Sequence, residues 1–315
     1  MSGFVALFDR SKSGVDRERL RTMLDTIDHR GPDGRDAWCD DRVALGHQQL
    51  QSTPESQFDE QPYCEDGLVV AGDFRVDNRD ELLAQLSFST PTGRIPDSHI
   101  LVRAYRRWGT ECVDHLVGAF AFAIWDADAQ TVFCARDFFG VKSLYYYVDD
   151  DWFAVASEAK AILSLPFVST EVNDLMIGNF LTKNFADEEI TFFESVSRLP
   201  SAHATIVGAD DENTWQFWRL DPTRTVELES NAAYERRFRE LFEQAVQCRL
   251  RVNGPIGTTL SGGIDSSSIT VVARDLLPAD QTLHAFSNVY DEAPSSDERE
   301  YIETITSRPG INSHY

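Results

Sequence analysis

Residues 255–268 read Pro-Ile-Gly-Thr-Thr-Leu-Ser-Gly-Gly-Ile-Asp-Ser-Ser-Ser, and this stretch holds residue types whose spacing could do chemistry. A β-rich run, Ile256 to Leu260, ends in Ser261-Gly262-Gly263. A helical pattern opens directly after it, with Ile264, Ile269, Val272 and Ala273 on one side. Backbone N–H groups at a helix start lack intrahelical acceptors, so a strand–turn–helix unit of this kind receives an anion. The glycines let the backbone come close to it. Ser261, Ser266 and Ser267 add hydroxyl donors. Asp265 does not suit an anion alone and points to a cation such as Mg²⁺ beside a phosphate. The G-x-x-x-x-G-K-[ST] spacing and its Lys are absent. The plain alternative is a Ser/Gly-rich turn capping an ordinary helix.

The order Ser-Gly-Gly-x-Asp-Ser-Ser resembles the pyrophosphate loop of the ATP pyrophosphatases, which split ATP to AMP and pyrophosphate. The surrounding rhythm agrees. A long helix is expected at 231–252, with Tyr234, Phe238, Leu241, Phe242, Ala245 and Val246 on one face. After it come strand 256–260, helix 266–276, strand 282–287 and helix 297–307, the βαβα order of a parallel sheet with ligands at the strand C-termini. Two or three strands of that sheet are expected before Tyr315, so this domain is expected to be incomplete.

Upstream, the first 165 residues read as short strands with few helices, which points to antiparallel sheets. Strands are expected at Gly3 to Phe8 and at 42–46, 67–73, 119–125, 131–135, 144–148 and 152–156. Helices are expected over Val15 to Ile27 and at 78–86, 98–108 and 158–165. Residues 166–230 read as a connector with short elements and a Trp215/Trp218 hairpin.

The length of 315 residues suits two domains, and 42% hydrophobic content suits packed cores. No run approaches the ~18 apolar residues of a membrane span. The first ten residues have no basic stretch before their apolar run, unlike a signal peptide. A soluble, cytoplasmic protein is the expectation. The 52 acidic against 29 basic residues give a formal charge of −23, with only Lys12, Lys142, Lys160 and Lys183 as lysines. Such a surface suits molar salt, where screening removes self-repulsion. It does not suit a nucleic-acid partner, which needs a basic patch. The five cysteines, Cys39, Cys64, Cys112, Cys134 and Cys248, show no C-x-x-C pair and read as buried thiols.

From end to end the chain resembles the asparagine synthetase family. The motifs are His29-Arg30-Gly31-Pro32-Asp33, the run from Leu116 to Asp126, Ala135-Arg136-Asp137-Phe138-Phe139-Gly140-Val141-Lys142, Ala156-Ser157-Glu158-Ala159-Lys160, and the Ser261 loop. The resemblance implies an α+β N-terminal-nucleophile domain at 1–165, αββα with stacked antiparallel sheets. After the connector, 231–315 would open an incomplete α/β ATP pyrophosphatase domain of the adenine nucleotide alpha-hydrolase-like kind. It also implies ATP and Mg²⁺, adenylation of a small-molecule or peptide carboxylate, and amide formation by a nitrogen nucleophile. No nucleic acid and no membrane is implied, and a homodimer is an expected assembly. Leu260, Ser261, Gly262, Gly263, Asp265, Ser266, Ser267 and Asn288 would hold ATP, with Asp265 on the metal. Asp297-Glu298 resembles the family's acidic pair, with a plain helix-end charge pair as the alternative. The residues for the carboxylate substrate are expected beyond Tyr315.

The departures fall on the glutamine site. The family nucleophile is a Cys whose own α-amine is the base; here the position is Ser2. A hydroxyl does this chemistry in other N-terminal-nucleophile hydrolases, so Ser2 alone leaves the matter open. The family Arg for the glutamine carboxylate corresponds to Gln49, which cannot form that ion pair. The family Asn-Gly-Glu corresponds to Ala71-Gly72-Asp73, and Ala71 lacks the oxyanion donor, a loss of about 100 to 1,000-fold in rate. Asp97 remains at the position of the α-amine ligand. The pattern resembles the β-lactam synthetase and lasso-peptide cyclase branches, which lack a working glutaminase. The alternatives are an intramolecular cyclase and a non-catalytic remnant. The charge excess gives its own prediction: the melting temperature should rise from low to molar KCl, and a flat response would mark an ordinary acidic protein.

Overall fold

Every residue of the first strand is buried on both faces, which explains the unbroken apolar run at the N-terminus. In the computed structural model, which describes residues 1–88 and 91–315, the chain divides into two compact units. One comprises residues 1–51 and 55–221, the other residues 52–54 and 222–315. The first runs β1 (Gly3–Asp9), α1 (Arg17–Thr26), β2 (Gly34–Cys39), β3 (Val43–Gln49), β4 (Tyr63–Glu65), β5 (Leu68–Val76), α2 (Arg79–Gln85) and α3 (Asp97–Trp108). It continues β6 (Gly118–Asp126), β7 (Thr131–Arg136), β8 (Tyr145–Val148), β9 (Trp152–Ala156), α4 (Ala159–Leu163) and α5 (Asp174–Thr182), then β10 (Ser197–Arg198), β11 (His203–Val207) and β12 (Glu212–Gln216).

The strands make two six-stranded sheets, β10-β8-β9-β1-β3-β2 and β12-β11-β7-β6-β5-β4. Every pairing in both is antiparallel. Strand alternation sorts side chains into layers. Phe4, Ala6 and Phe8 of β1 meet Ala71, Ala121, Ala123 and Trp125 between the sheets. Val5 and Leu7 face the other way, against Leu20, Met23 and Leu24 of α1 and Ile162 of α4. On the second sheet Phe120, Phe122 and Ile124 face Ile100, Leu101 and Tyr105 of α3. The alternation of 119–125 thus places Ala121, Ala123 and Trp125 between the sheets and Phe120, Phe122 and Ile124 under the helices. Each buried ring contributes roughly 2–3 kcal/mol of transfer free energy. The result is the expected αββα stack.

Three expectations need correction here. Residues 166–230 do not form a connector: β10 completes the first sheet on β8, and β11 and β12 extend the second from β7. The first unit therefore runs to Asp221. The hairpin there is β11–β12 and contains Trp215, not Trp218. Two strands lacked an apolar pattern because they lie at sheet edges: β2, which is mostly exposed, and the three-residue β4. The thiols are also less uniform than expected. Cys112 and Cys134 are buried, Cys39 and Cys248 half-buried, and Cys64 is exposed.

The second unit contains α6 (Asn231–Arg249), β13 (Ile256–Thr259), α7 (Ile264–Leu276), β14 (Leu283–Phe286), α8 (Arg299–Thr306) and β15 (Ile311–His314). The three strands pair in parallel in the order β13-β14-β15. Its core is small: Val246, Ala273, Leu277 and Leu283 in one cluster, Leu260, Ala285 and Ile302 in another. The buried Arg274 guanidinium donates to Leu277 O (2.8 Å), Pro278 O (2.5 Å) and Gly310 O (3.3 Å), tying the end of α7 to the turn before β15. A cation at a helix C-terminus also suits the helix dipole. The apolar faces expected on the helices are only partly covered. Tyr234, Phe238 and Leu241 of α6 and Ile264 and Ile269 of α7 are exposed among the described residues. Periodicity sets which face is apolar, not what covers it.

Gly118 shows where the backbone leaves no room. Its φ is +152°, and a Cβ there would lie 2.0 Å from Arg75 O, a backbone atom that cannot give way. Gly118→Ala should cost about 1–3 kcal/mol of stability in urea unfolding. A variant as stable as the parent would contradict this reading of the β5–β6 start.

Candidate glutamine and nucleotide sites

In the first unit the register of β1 on β3 sets Gly3 opposite Gln48, so Ser2 arrives beside Gln49 and Leu50. Ser2 Oγ accepts the Leu50 N–H at 3.1 Å, and Arg30 Nη1 donates to Ser2 O at 3.2 Å. Glu158 collects Arg30 (2.7 Å), His29 (2.9 Å) and Lys160 (3.0 Å). Burial alone would raise the Glu158 pKa, but Lys160, Arg30 and His29 hold it below its ordinary value. Partial burial lowers the pKa of the Met1 ammonium. Lys142 and Arg30 act in the same direction and Asp73 opposes them.

The Arg136-Asp137 motif builds the turn that delivers Lys142. Asp137 accepts the N–H groups of Phe139 (3.2 Å), Val141 (2.9 Å) and Lys142 (2.9 Å). Arg136 donates to the carbonyls of Lys142 (2.7 Å), Gly140 (2.8 Å) and Leu199 (2.7 Å). Lys142 Nζ then meets Asp73 Oδ1 at 2.7 Å.

The remaining positions expected at a glutamine pocket are each engaged within the chain. Gln49 Nε2 donates to Ser56 O (3.0 Å) and Asp59 O (2.7 Å), fastening the 56–59 loop. Ala71 is fully buried in the apolar layer between the sheets. The Gly72 N–H donates to Gln61 Oε1 at 2.8 Å. Asp97, the first residue of α3, forms a buried ion pair with Arg79 Nη1, the first residue of α2. Its second oxygen accepts the Val76 N–H at 2.8 Å. Arg79 also donates to Ile95 O at 2.6 Å and lies 3.7 Å from Glu55. The Asp97 carboxylate is thus already paired with a guanidinium.

Sequence reading missed Asp59, Gln61 and Arg79. Their partners Gly72, Asp97 and Ser98 lie 11 to 39 residues away, so no local spacing marks them. Burial pushes the Asp59 carboxyl up to about 6, against the hydrogen bonds from Ser98 and Gln61, with the Asp97 charge adding to the rise. The fully enclosed His47 is pulled down to about 4 by burial, opposed by a hydrogen bond to the Gly72 backbone, so it is neutral near pH 7.

In the second unit Leu260, Ser261, Ser266 and Asn288 line one cavity of about 400 Å³ at the C-terminal end of the parallel strands. Phe286, Ser287, Glu298 and His314 complete its wall. Ser261 Oγ and Ser266 Oγ lie 3.0 Å apart, and Ser267 N–H donates to Gly263 O at 3.0 Å. Gly262 takes φ +82°, with Glu298 and Tyr301 just over 3 Å from where a Cβ would be. Gly263 is the N-cap of α7, and no side chain caps that helix. Its first N–H groups and the serine hydroxyls are therefore donors suited to phosphate oxygens. Asp265 is exposed and lines the groove between α6 and α7, while Glu298 is the carboxylate on the cavity wall. Among the described residues no group of three or more His, Cys, Asp or Glu gathers to hold a metal. No described helix is long and apolar enough to cross a membrane.

The buried Arg79–Asp97 pair yields a prediction. Removing Asp97 leaves the buried Arg79 with only the more distant Glu55 carboxylate at 3.7 Å, and breaking a buried pair costs about 3–5 kcal/mol. Asp97→Ala should lower unfolding stability by that order in urea titration. A loss below about 1 kcal/mol would show the pair to be loosely held.

Comparison with known proteins agrees with this geometry. Residues 1–218 match the glutamine amidotransferase domain family and residues 237–315 match asparagine synthase. Asparagine synthetase [glutamine-hydrolyzing] 3 of Bacillus subtilis is 29% identical, over 100% of this chain and 54% of that protein. Amidase chry2 of Gibberella zeae is 29% identical, over 94% of this chain and 46% of its own length. The chain thus spans about half the length of these curated relatives. Among solved structures, the glutamine phosphoribosylpyrophosphate amidotransferase of Bacillus subtilis, complexed with ADP and GMP, is similar in fold. Its TM-score is 0.51 at 13% identity, covering 99% of this chain and 80% of that one. The chain belongs to the glutamine amidotransferase domain family, and residues 237–315 of its second unit match asparagine synthase.

Proposed function

We propose that the chain is the N-terminal part of an ATP-dependent, amide-forming ligase of the asparagine synthase type whose first unit does not hydrolyse glutamine. The observation that carries the ligase reading is the Ser261–Ser267 turn at the mouth of the strand-end cavity. Ser261, Ser266 and the uncapped start of α7 present donors where pyrophosphate charge develops as a carboxylate attacks the α-phosphate of ATP. Leu260, Asn288 and Phe286 supply the wall for the nucleoside. Magnesium, where bound, would neutralise phosphate charge, and Glu298 is the carboxylate on the cavity wall, whereas Asp265 lies on the α6–α7 groove. The acyl-adenylate is then captured by a nitrogen nucleophile.

The silent-glutaminase reading rests on the first unit. Ser2 replaces a thiol, Gln49 holds a loop, Ala71 offers no donor, and Asp97 is paired with Arg79. With no ammonia released there, the nucleophile is an amine supplied by the substrate or from solution. That same observation favours a second reading, ring closure by an amine on the substrate itself.

The test uses the protein expressed from its complete reading frame. ATP–pyrophosphate exchange with candidate carboxylates should fall by about 100-fold or more in Gly262→Val, with no glutamate released from glutamine. Exchange indifferent to Gly262→Val, or glutamate release abolished by Ser2→Ala, would overturn the assignment.

A further inference from the structure

Among the described residues, the two sheets of the first unit end in four edge strands, β10, β2, β12 and β4. An edge carries unpaired N–H and C=O groups that recruit another strand unless something blunts it. Three of the four are blunted. β10 has two residues and β4 has three. β2 carries Arg35 and Asp36, and the Asp36 carboxylate takes the Ala37 N–H at 2.8 Å. β12 has none of these devices. Its five residues, Glu-Asn-Thr-Trp-Gln, pair with β11 in unbroken register, hold no Pro or Lys, and carry one charge, Glu212. All but Trp215 are exposed. Bonds at both ends of the hairpin fix where the backbone of β12 points. The Gly208 N–H donates to Asp211 O at 2.9 Å, and the Phe217 N–H donates to Ala202 O at 2.9 Å. Backbone groups alternate sides along an antiparallel strand. Asn213 and Trp215 therefore turn theirs to β11, and Glu212, Thr214 and Gln216 turn theirs outward. Across the hairpin Thr214 Oγ1 donates to Thr205 Oγ1 at 2.8 Å.

We propose that β12 is a self-pairing edge: two copies of the chain join antiparallel about a two-fold axis at Thr214, fusing their second sheets into one. The strand itself sets the fit. With Thr214 opposite Thr214 of the second copy, Glu212 falls opposite Gln216 of the second copy, and each outward N–H meets an outward C=O. No like charges face each other across the join, where they would be destabilising, and Glu212 meets a carboxamide. Thr205 and Thr214 of both copies line up as a row of β-branched side chains, a favourable cross-strand pairing. An isologous contact of this kind closes on itself, so assembly stops at two copies. Each copy carries a formal charge of −23, and two copies repel until salt screens them. The Debye length falls to about 3 Å at 1 M, so pairing strengthens with salt. The inference concerns the first unit alone and is independent of the ligase reading.

The experiment is sedimentation velocity of the 315-residue chain over a range of concentration and KCl, with hydrogen exchange of the 212–216 segment measured in parallel. In molar KCl the concentrated wild type should sediment as two chains. Its 212–216 amides should then exchange about tenfold more slowly than in the diluted chain, the gain of one hydrogen bond of ordinary net worth at each outward N–H. Thr214→Lys sets two ammonium groups face to face on the axis. Thr214→Pro removes an N–H that points outward, so the hairpin keeps its own bonds. Both should fold, sediment as single chains and exchange fast at every concentration. Ala37→Lys, which adds the same charge on the β2 edge, should still pair. A wild type that stays single at every concentration in molar KCl, or a paired Thr214→Lys, would overturn the proposal. So would pairing that leaves 212–216 exchange unchanged, or pairing lost in Ala37→Lys as well.

Discussion

At the N-termini of α2 and α3, Arg79 and Asp97 form a buried ion pair, and the loss of either leaves the other buried without its nearest opposite charge. Each oxygen of Asp97 already accepts, one from Arg79 and the other from Val76. This pairing constrains the rest of the first site. Asp97 additionally accepts from Val76 at the end of β5, so the strand carrying Ala71, Gly72 and Asp73 is tied to the same pair. Ser98, the next residue, fixes Asp59, and Asp59 fixes Gln61 on Gly72. The positions that resemble a glutamine pocket thus belong to one internal network whose donors and acceptors are matched to each other.

The two units differ in this respect. In the first, the side chains at the site are buried and satisfied, and the fold is set by two stacked sheets with apolar layers on both faces. In the second, the loop donors face a cavity, the helix start is uncapped, and the core is a few residues.

Much of the architecture was legible from residues 1–9, 119–125 and 255–268. Alternation and the strand–glycine–helix order are local, and local patterns survive folding. The edge strands β2 and β4 were not legible, because an edge strand with little buried surface has no apolar pattern to show. The region after 166 was misread for a related reason. Its strands are two to five residues long and become strands only by pairing with β7 and β8. At the site, Gln49, Ala71 and Asp97 could be located by motif order. What Asp97 does could not, since its partner Arg79 comes from another helix and carries no motif. Asp265 stood out by type, yet it lies on the α6–α7 groove, and the cavity wall takes Glu298 and His314 from later elements.

The central claim is that the nucleotide turn is open to ligand while the glutamine pocket is closed by its own side chains. Calorimetric titration of the same chain with ATP–Mg²⁺ and, separately, with L-glutamine tests both halves at once. The account requires saturable heat for ATP–Mg²⁺ and none for glutamine at any accessible concentration. Saturable glutamine binding, with or without a nucleotide signal, would contradict it.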